Sequence, residues 1–248
     1  MADLFSVEGK IALVTGASSG LGAHCARLLV ENGASVVGLS RSIGEFADVS
    51  MNRGAEFIEA DLTDAHEWDA LARTVSQCFG APQILVNAAG VNLRKHADET
   101  SAADWETTIA LNLTAPFFLA QALVPAMKHQ GFGRIVNFAS LQSERAFNNG
   151  LAYGTTKGGV AQMTRAMAEA WSSTGVNSNA LAPGFFPTQL TAPVFGDAAT
   201  VQRLAQQTCI GRNGQMSDMD GPLLFLCSDA SAYVTGQILY VDGGFTAK

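Results

Sequence analysis

Tyr153 and Lys157 stand four residues apart in Leu151-Ala152-Tyr153-Gly154-Thr155-Thr156-Lys157, a spacing that puts both side chains on one helix face. A phenol with an unperturbed pKa near 10 exchanges a proton at neutral pH only beside a fixed positive charge. At about 4 Å and an effective dielectric near 20, Coulomb's law gives roughly 4 kcal/mol, equivalent to about three pKa units as an upper guide. A packed tyrosine beside a snorkelling lysine has the same spacing, so the company of the pair decides. Ser140 follows the apolar run Ile135-Val136-Asn137-Phe138-Ala139, thirteen residues before Tyr153. Open α/β sheets hold their ligands at such strand ends.

A second constellation lies near the start of the chain. Ile11-Ala12-Leu13-Val14 runs into Thr15-Gly16-Ala17-Ser18-Ser19-Gly20-Leu21-Gly22, and Ala23 to Asn32 has helical composition, with Gly33 to close it. Glycines allow a tight turn there and let a pyrophosphate approach the main chain, facing free N–H groups and the positive end of the helix dipole. The spacing is G-x-x-x-G-x-G rather than the usual G-x-G-x-x-G. At the end of the second strand, where an acid would bond the ribose of NAD, the chain reads Ser40-Arg41. A carboxylate would repel the 2′-phosphate of NADP, whereas Arg41 can pair with it and Ser40 can donate to it. NADP(H) is therefore the preferred cofactor, with NAD(H) as the alternative.

Positioning these groups requires a sheet. Runs rich in Val, Ile and Leu at 11–14, 35–40, 55–60, 83–87, 133–139, 176–181 and 236–241 read as strands, separated by stretches of helical spacing. Apolar runs without strict alternation suit strands buried on both faces, and intervening helices supply parallel crossovers. The expectation is an α/β, Rossmann-type, doubly wound sheet of seven parallel strands with helices on both faces, forming one domain over residues 1–248. The helix between Arg41 and Gly54 is short and weakly periodic. Segment 184–215, punctuated by Pro187, Pro193, Gly196, Gly211 and Gly214 around a short helix near 198–207, reads as a substrate lid.

Composition narrows the partners. With 15 basic and 22 scattered acidic residues the net charge is −7, which offers no footprint for nucleic acid or anionic membranes. Cys25, Cys78, Cys209 and Cys227 lie far apart, without the spacing of a metal site or a disulfide framework. No metal is expected, and a reducing cytoplasm fits. The first eight residues lack a basic segment ahead of an apolar core, and the apolar run Ala115 to Met127 carries two prolines and a glutamine. Neither targeting nor membrane spanning is expected.

Taken in order, Thr15 to Gly22, Asp61 after the third strand, Asn87-Ala88-Ala89-Gly90, Asn112, Ser140 with Tyr153 and Lys157, and Pro183-Gly184 followed by Thr188 make the chain resemble the short-chain dehydrogenases/reductases over essentially its whole length. The resemblance implies that Tyr153 is the general acid/base, that Ser140 holds the substrate carbonyl or alcohol, and that Lys157 lowers the tyrosine pKa and binds the nicotinamide ribose. It implies that Asn112 supports a proton-relay water. It places Gly16, Ser18, Ser19, Gly20, Leu21 and Gly22 on the phosphates and Asp61 and Leu62 at the adenine. Asn87, Ala88, Ala89 and Gly90 lie along the cofactor path, and Pro183, Gly184, Phe186 and Thr188 lie near the carboxamide. A homotetramer is also implied, with a dimer as the fallback, and stretches 103–129 and 150–174, with Trp105, Phe117 and Phe118, offer apolar surface for it. Two departures stand out: Ala88 where a second asparagine is common, and Ser178 where a buried valine is usual.

Within the family the chain is most similar to the sugar-acid and polyol branch, the gluconate 5-dehydrogenases and deoxygluconate dehydrogenases. That similarity is carried by Gly90-Val91-Asn92-Leu93-Arg94-Lys95-His96, Ser140-Leu141-Gln142-Ser143-Glu144 and Ala182-Pro183-Gly184-Phe185-Phe186-Pro187-Thr188. An anionic polyhydroxy ketone or alcohol needs a cation and several hydrogen-bonding groups. Arg94, Gln142, Glu144, Asn148 and Asn149 supply them, with Phe185 beside them, although Glu144 would oppose a carboxylate. Phe147, Phe185, Phe186, Val194 and Phe195 equally suit a broad-range ketone reductase. A 3-oxoacyl thioester reductase would want a basic docking patch, for which Lys128, Arg134, Arg145 and Arg165 are the candidates. A non-catalytic dinucleotide sensor ranks last, because the Ser, Tyr, Lys and Asn set is complete.

Overall fold

Residues 4–63 and 68–248 are described by the structure, a computed structural model. Residues 1–3, part of the stretch read for targeting, lie outside the described residues, as do 64–67. The seven apolar runs form β1 (Ile11–Thr15), β2 (Ser35–Ser40), β3 (Ala55–Glu59), β4 (Ile84–Asn87), β5 (Gly133–Phe138), β6 (Val176–Pro183) and β7 (Ile238–Val241). All pair in parallel in the order β3-β2-β1-β4-β5-β6-β7, giving the doubly wound sheet expected from the sequence. The chain winds outward from β1 to β3 and then returns to start β4 beside β1. That reversal leaves a crevice above the carboxyl ends of the central strands.

Helices cover both faces. α1 (Gly20–Glu31), α2 (Phe46–Ser50) and α9 (Asp220–Cys227) lie on one, with α3 (Trp68–Phe79), α5 (Ala115–Gln130) and α6 (Leu151–Trp171) on the other. Side-chain alternation in β1 shows why the strand sequence does not alternate. Ala12 and Val14 join Leu29, Val49 and Leu223, while Leu13 joins Val75, Leu119 and Met167. The five-residue α2 can lie against β2 because position 38 is glycine; any Cβ there would run into the Phe46 ring.

α4 (Ala102–Ile109) and α5 are joined by a π-helical turn over Ala110–Thr114, giving a continuous helical stretch from Ala102 to Gln130. Its length and composition would suffice to cross a membrane, but Leu119, Leu123 and Met127 pack into the core instead. In β6 the polar run Asn177-Ser178-Asn179 is buried yet satisfied. Asn177 donates to the Ser231 and Ala232 carbonyls, Asn179 to the Val234 carbonyl, and the Ser178 hydroxyl to Met167 Sδ. Ser178 thus finds a soft partner where an apolar side chain was expected.

Segment 184–215 folds into α7 (Ala192–Phe195) and α8 (Ala198–Gln207). The base of the segment is closed where the Gly214 N–H donates to the Phe185 carbonyl at 2.9 Å. Asp197 caps α8, its carboxylate accepting from the Ala199 and Thr200 N–H groups.

Candidate active site

Above the carboxyl ends of β1, β4 and β5 opens a cleft of about 850 Å³. Its nucleotide end is built on the glycine turn. Gly16 and Gly20 take φ of +68° and +56°, where a side chain would be strained. A Cβ at Gly22 would run into the Gly16 carbonyl oxygen, so α1 can begin hard against the turn only with glycine there. Ser19 makes no side-chain cap, and the first turn of α1 carries no acid. The Gly20 N–H reaches Glu45 Oε1 at 3.4 Å. First-turn donors together with the dipole make this a fit for an anionic phosphate group. Arg41 lines the same end and pairs with no carboxylate among the described residues. Beside it the Ser40 hydroxyl donates to the Leu39 carbonyl and accepts from the Ser18 N–H. Asp61 is oriented by two hydrogen bonds from Thr63, which, with the more distant Arg41, hold its carboxyl below the usual range.

At the other end α6 and β5 bring Ser140, Tyr153 and Lys157 together. The Ser140 hydroxyl lies within hydrogen-bonding reach of the Tyr153 phenol. Lys157, 4% exposed, donates to the Phe138 carbonyl at 2.6 Å. The electrostatics differ from the sequence expectation. Burial raises the Tyr153 pKa, opposed first by the Ser140 hydrogen bond and then by the charge of Arg94. Burial also pushes Lys157 down to about 8, so it is neutral where the phenol would ionise. Arg94 adds its charge beside the tyrosine, and Lys157 Nζ lies 5.5 Å from the centroid of the Tyr153 ring.

Most sequence-derived site residues line the cleft; five do not, and three of these have partners that explain their place. Asn87 is buried below it, donating to Asn137 Oδ1 at 2.9 Å and to the Pro116 carbonyl. Asn112 sits on the π-helical turn with its amide fully engaged. Its Oδ1 accepts from the Val91 N–H, and its Nδ2 donates to the Val91 carbonyl and to Thr156 Oγ1. A Cβ at Gly90 would come 3.3 Å from Asn112 Oδ1 and 3.9 Å from Lys157 Nζ, so the bare glycine leaves space between them. The third is Glu144, whose expected substrate contact is corrected. A 3₁₀ turn over Leu141–Ser143 carries it to the far side of the loop, into a depression shared with Arg165 and Tyr240. There burial, then Glu144 itself, push the Tyr240 phenol up to about 12.

The substrate end keeps Arg94, Gln142, Asn148 and Phe185, with Phe147 and Val194 beside them; Asn149 and Phe195 are not part of its wall. Arg94 adopts φ +52° and donates from its guanidinium to the Leu190 carbonyl at 3.1 Å, tying the β4 loop to segment 184–215. Thr200, Arg203, Leu204 and Gln207 of α8 also line the cleft. Sequence reasoning missed them, although their i, i+3, i+4, i+7 spacing marks one helix face. Two members of the basic patch considered for an acyl carrier are engaged elsewhere. Arg134 is buried at the opposite end of β5 and donates to the Ser228 carbonyl, while Arg145 is engaged with the Thr246 carbonyl.

This geometry can be set beside known proteins. A family model described as enoyl-(acyl carrier protein) reductase matches residues 16–246. The chain belongs to the short-chain dehydrogenase/reductase family. Gluconate 5-dehydrogenase of Gluconobacter oxydans is 38% identical over 251 residues, covering 99% of this chain and 98% of that protein. A 2-dehydro-3-deoxy-D-gluconate 5-dehydrogenase of Bacillus subtilis is 36% identical over 253 residues, with coverage of 99% and 98%. In three dimensions the chain is similar to a gluconate 5-dehydrogenase from Burkholderia cenocepacia solved in complex with NADP and tartrate. That similarity has a TM-score of 0.93 at 35% identity and covers 99% and 98% of the two chains.

Proposed function

We propose that this short-chain dehydrogenase/reductase is an NADP(H)-preferring oxidoreductase that interconverts a secondary alcohol and a ketone on an anionic sugar acid or related polyol. The observation that carries the substrate class is the charge of the cleft beyond Tyr153. Arg94 and Arg203 line it, Glu144 is turned away, and Asp61, at the nucleotide end, is the one carboxylate among the described lining residues. A carboxylate-bearing substrate would find complementary charge there. The gluconate-type activities in the names of its relatives point the same way.

The reading assigns each side chain a task. Ser140 donates a hydrogen bond to the substrate oxygen, and Tyr153 Oη gives or takes the proton there. Burial keeps the phenol protonated, ready to donate, while Ser140 and Arg94 ease its ionisation. The first turn of α1 would hold the pyrophosphate and Arg41 with Ser40 the 2′-phosphate. Asn112 positions Val91 against α6. When bound, the nicotinamide supplies or accepts the hydride. Segment 184–215 serves as the lid of a single domain. Four free cysteines are in keeping with a cytoplasmic setting. Trp105 and Phe118, each 38% exposed along the α4–α5 surface, suit burial in a homotetramer, which light scattering would measure.

The test is a set of initial rates of NADPH and NADH oxidation with 5-ketogluconate, simple sugars, acetoacetyl-CoA and aryl ketones. Saturable oxidation of NADPH with the sugar-acid ketone is expected. Preference for NADH would remove Arg41 from its role. A second reading, a broad-range ketone reductase, is favoured by the Phe147–Phe185 pair on the cleft wall. Turnover of aryl ketones alone would establish it over the first.

A further inference from the structure

The segment following β7 holds together three parts of the substrate end. Asp242 folds it into a turn: Oδ1 accepts from the Gly244 N–H at 2.9 Å, and Oδ2 accepts from the N–H and hydroxyl of Thr246. The turn drives Phe245 inward to 5% exposure. Its ring centroid lies 6.2 Å from that of Phe147 and 5.7 Å from that of Phe185, both residues of the cleft wall. Leu141, next to Ser140, and Leu204, the buried residue of α8, complete the same apolar cluster.

Polar contacts fasten this turn from outside. Lys248 Nζ donates to the Gln206 and Thr208 carbonyls at 3.2 and 3.0 Å, at the carboxyl end of α8 where the helix dipole favours a cation. The Gly243 carbonyl accepts from the N–H groups of Cys209 and Ile210 at 2.8 and 3.2 Å, fixing the exit from α8. Arg145, on the loop after Ser140, donates to the Thr246 carbonyl at 3.1 Å and to that of Lys248. Leu204 is the one buried side chain of α8, and beyond the turn after β7 the Asn213 amide also holds the helix, donating to the Val201 carbonyl at 2.9 Å.

We propose that Asp242–Lys248 is a clasp that keeps α8 seated over the substrate end of the cleft, with Phe245 the positioning residue that sets the Phe147–Phe185 wall. Loosening it frees the lid and weakens substrate binding while leaving the nucleotide end as it was. The effect on substrate rests on the oxidoreductase reading; the effect on α8 does not.

The experiment uses the full chain and compares wild type with Lys248→Met, Phe245→Ala and the conservative Phe245→Leu. Hydrogen exchange is followed over 198–210 by mass spectrometry, alongside KM and kcat for the best ketone and NADPH affinity by fluorescence. In Lys248→Met, exchange over 198–210 rises about threefold or more and KM about fivefold, with kcat and NADPH affinity within about twofold. Phe245→Ala shows a larger effect and Phe245→Leu restores part of it. Unchanged exchange in Lys248→Met would overturn the clasp, as would loss of NADPH affinity in step with KM. Should Phe245→Ala fail to fold, Lys248→Met decides. Should no ketone be turned over, exchange alone judges the clasp and the failure falls on the oxidoreductase reading.

Discussion

Lys157 reaches from α6 to the Phe138 carbonyl, 2.6 Å from its ammonium, and burial drops its pKa from 10.5 to about 8. Between those values the unfolded chain carries a proton that the folded chain has released. Stability therefore rises as pH increases through this window, by roughly 3 kcal/mol from this group. In Lys157→Met that rise should vanish, as denaturant unfolding across the window would reveal; an undiminished slope would assign the effect to other groups. For Tyr153→Phe the ring packing survives and the proton is lost. Turnover should fall by about two to four powers of ten while NADPH affinity is kept. A variant retaining wild-type turnover would take Tyr153 out of the proton-transfer role.

Among the elements, the start of α1 is the least tolerant of change. Gly22→Ala puts a methyl into the Gly16 carbonyl, so the turn must open. Loss of NADPH binding by tenfold or more, on the order of 1.4 kcal/mol, is expected by fluorescence titration; unaltered binding would mean that the turn is not the phosphate site. This element was legible in the sequence because its chemistry is local, as were the strands, most plainly β1, β2 and β4, whose two buried faces demand continuous apolar runs. Less legible was whatever depended on packing between distant segments. Glu144 stands two residues from Gln142, yet the intervening 3₁₀ turn sends the two to different depressions. Arg203 belongs to a helix the sequence indicated, but which face meets the cleft is set by Leu204 packing against Phe245 and Leu141. Spacing along α6 conveys the proximity of Lys157 to Tyr153 and not the desolvation that acts on both groups.

For the molecule as a whole, a ligand that binds only the folded state adds stability according to its concentration. At a hundred times its Kd the gain is about 2.7 kcal/mol, or roughly 5–10 °C in Tm for a chain of this length. NADPH should raise Tm by more than NADH at equal concentration; equal shifts would remove Arg41 from cofactor choice. The strand order has a further consequence. Because the chain reverses between β3 and β4, the proposed function puts the residues that would read the adenosine half at or before Thr63 and those that would face the substrate at or after Arg94. On that proposal, coenzyme choice and substrate choice are inherited on separate, consecutive stretches of polypeptide. One crossover in the intervening segment can exchange either without the other, and a lineage can move to a new metabolite while drawing on the same pool of reducing equivalents.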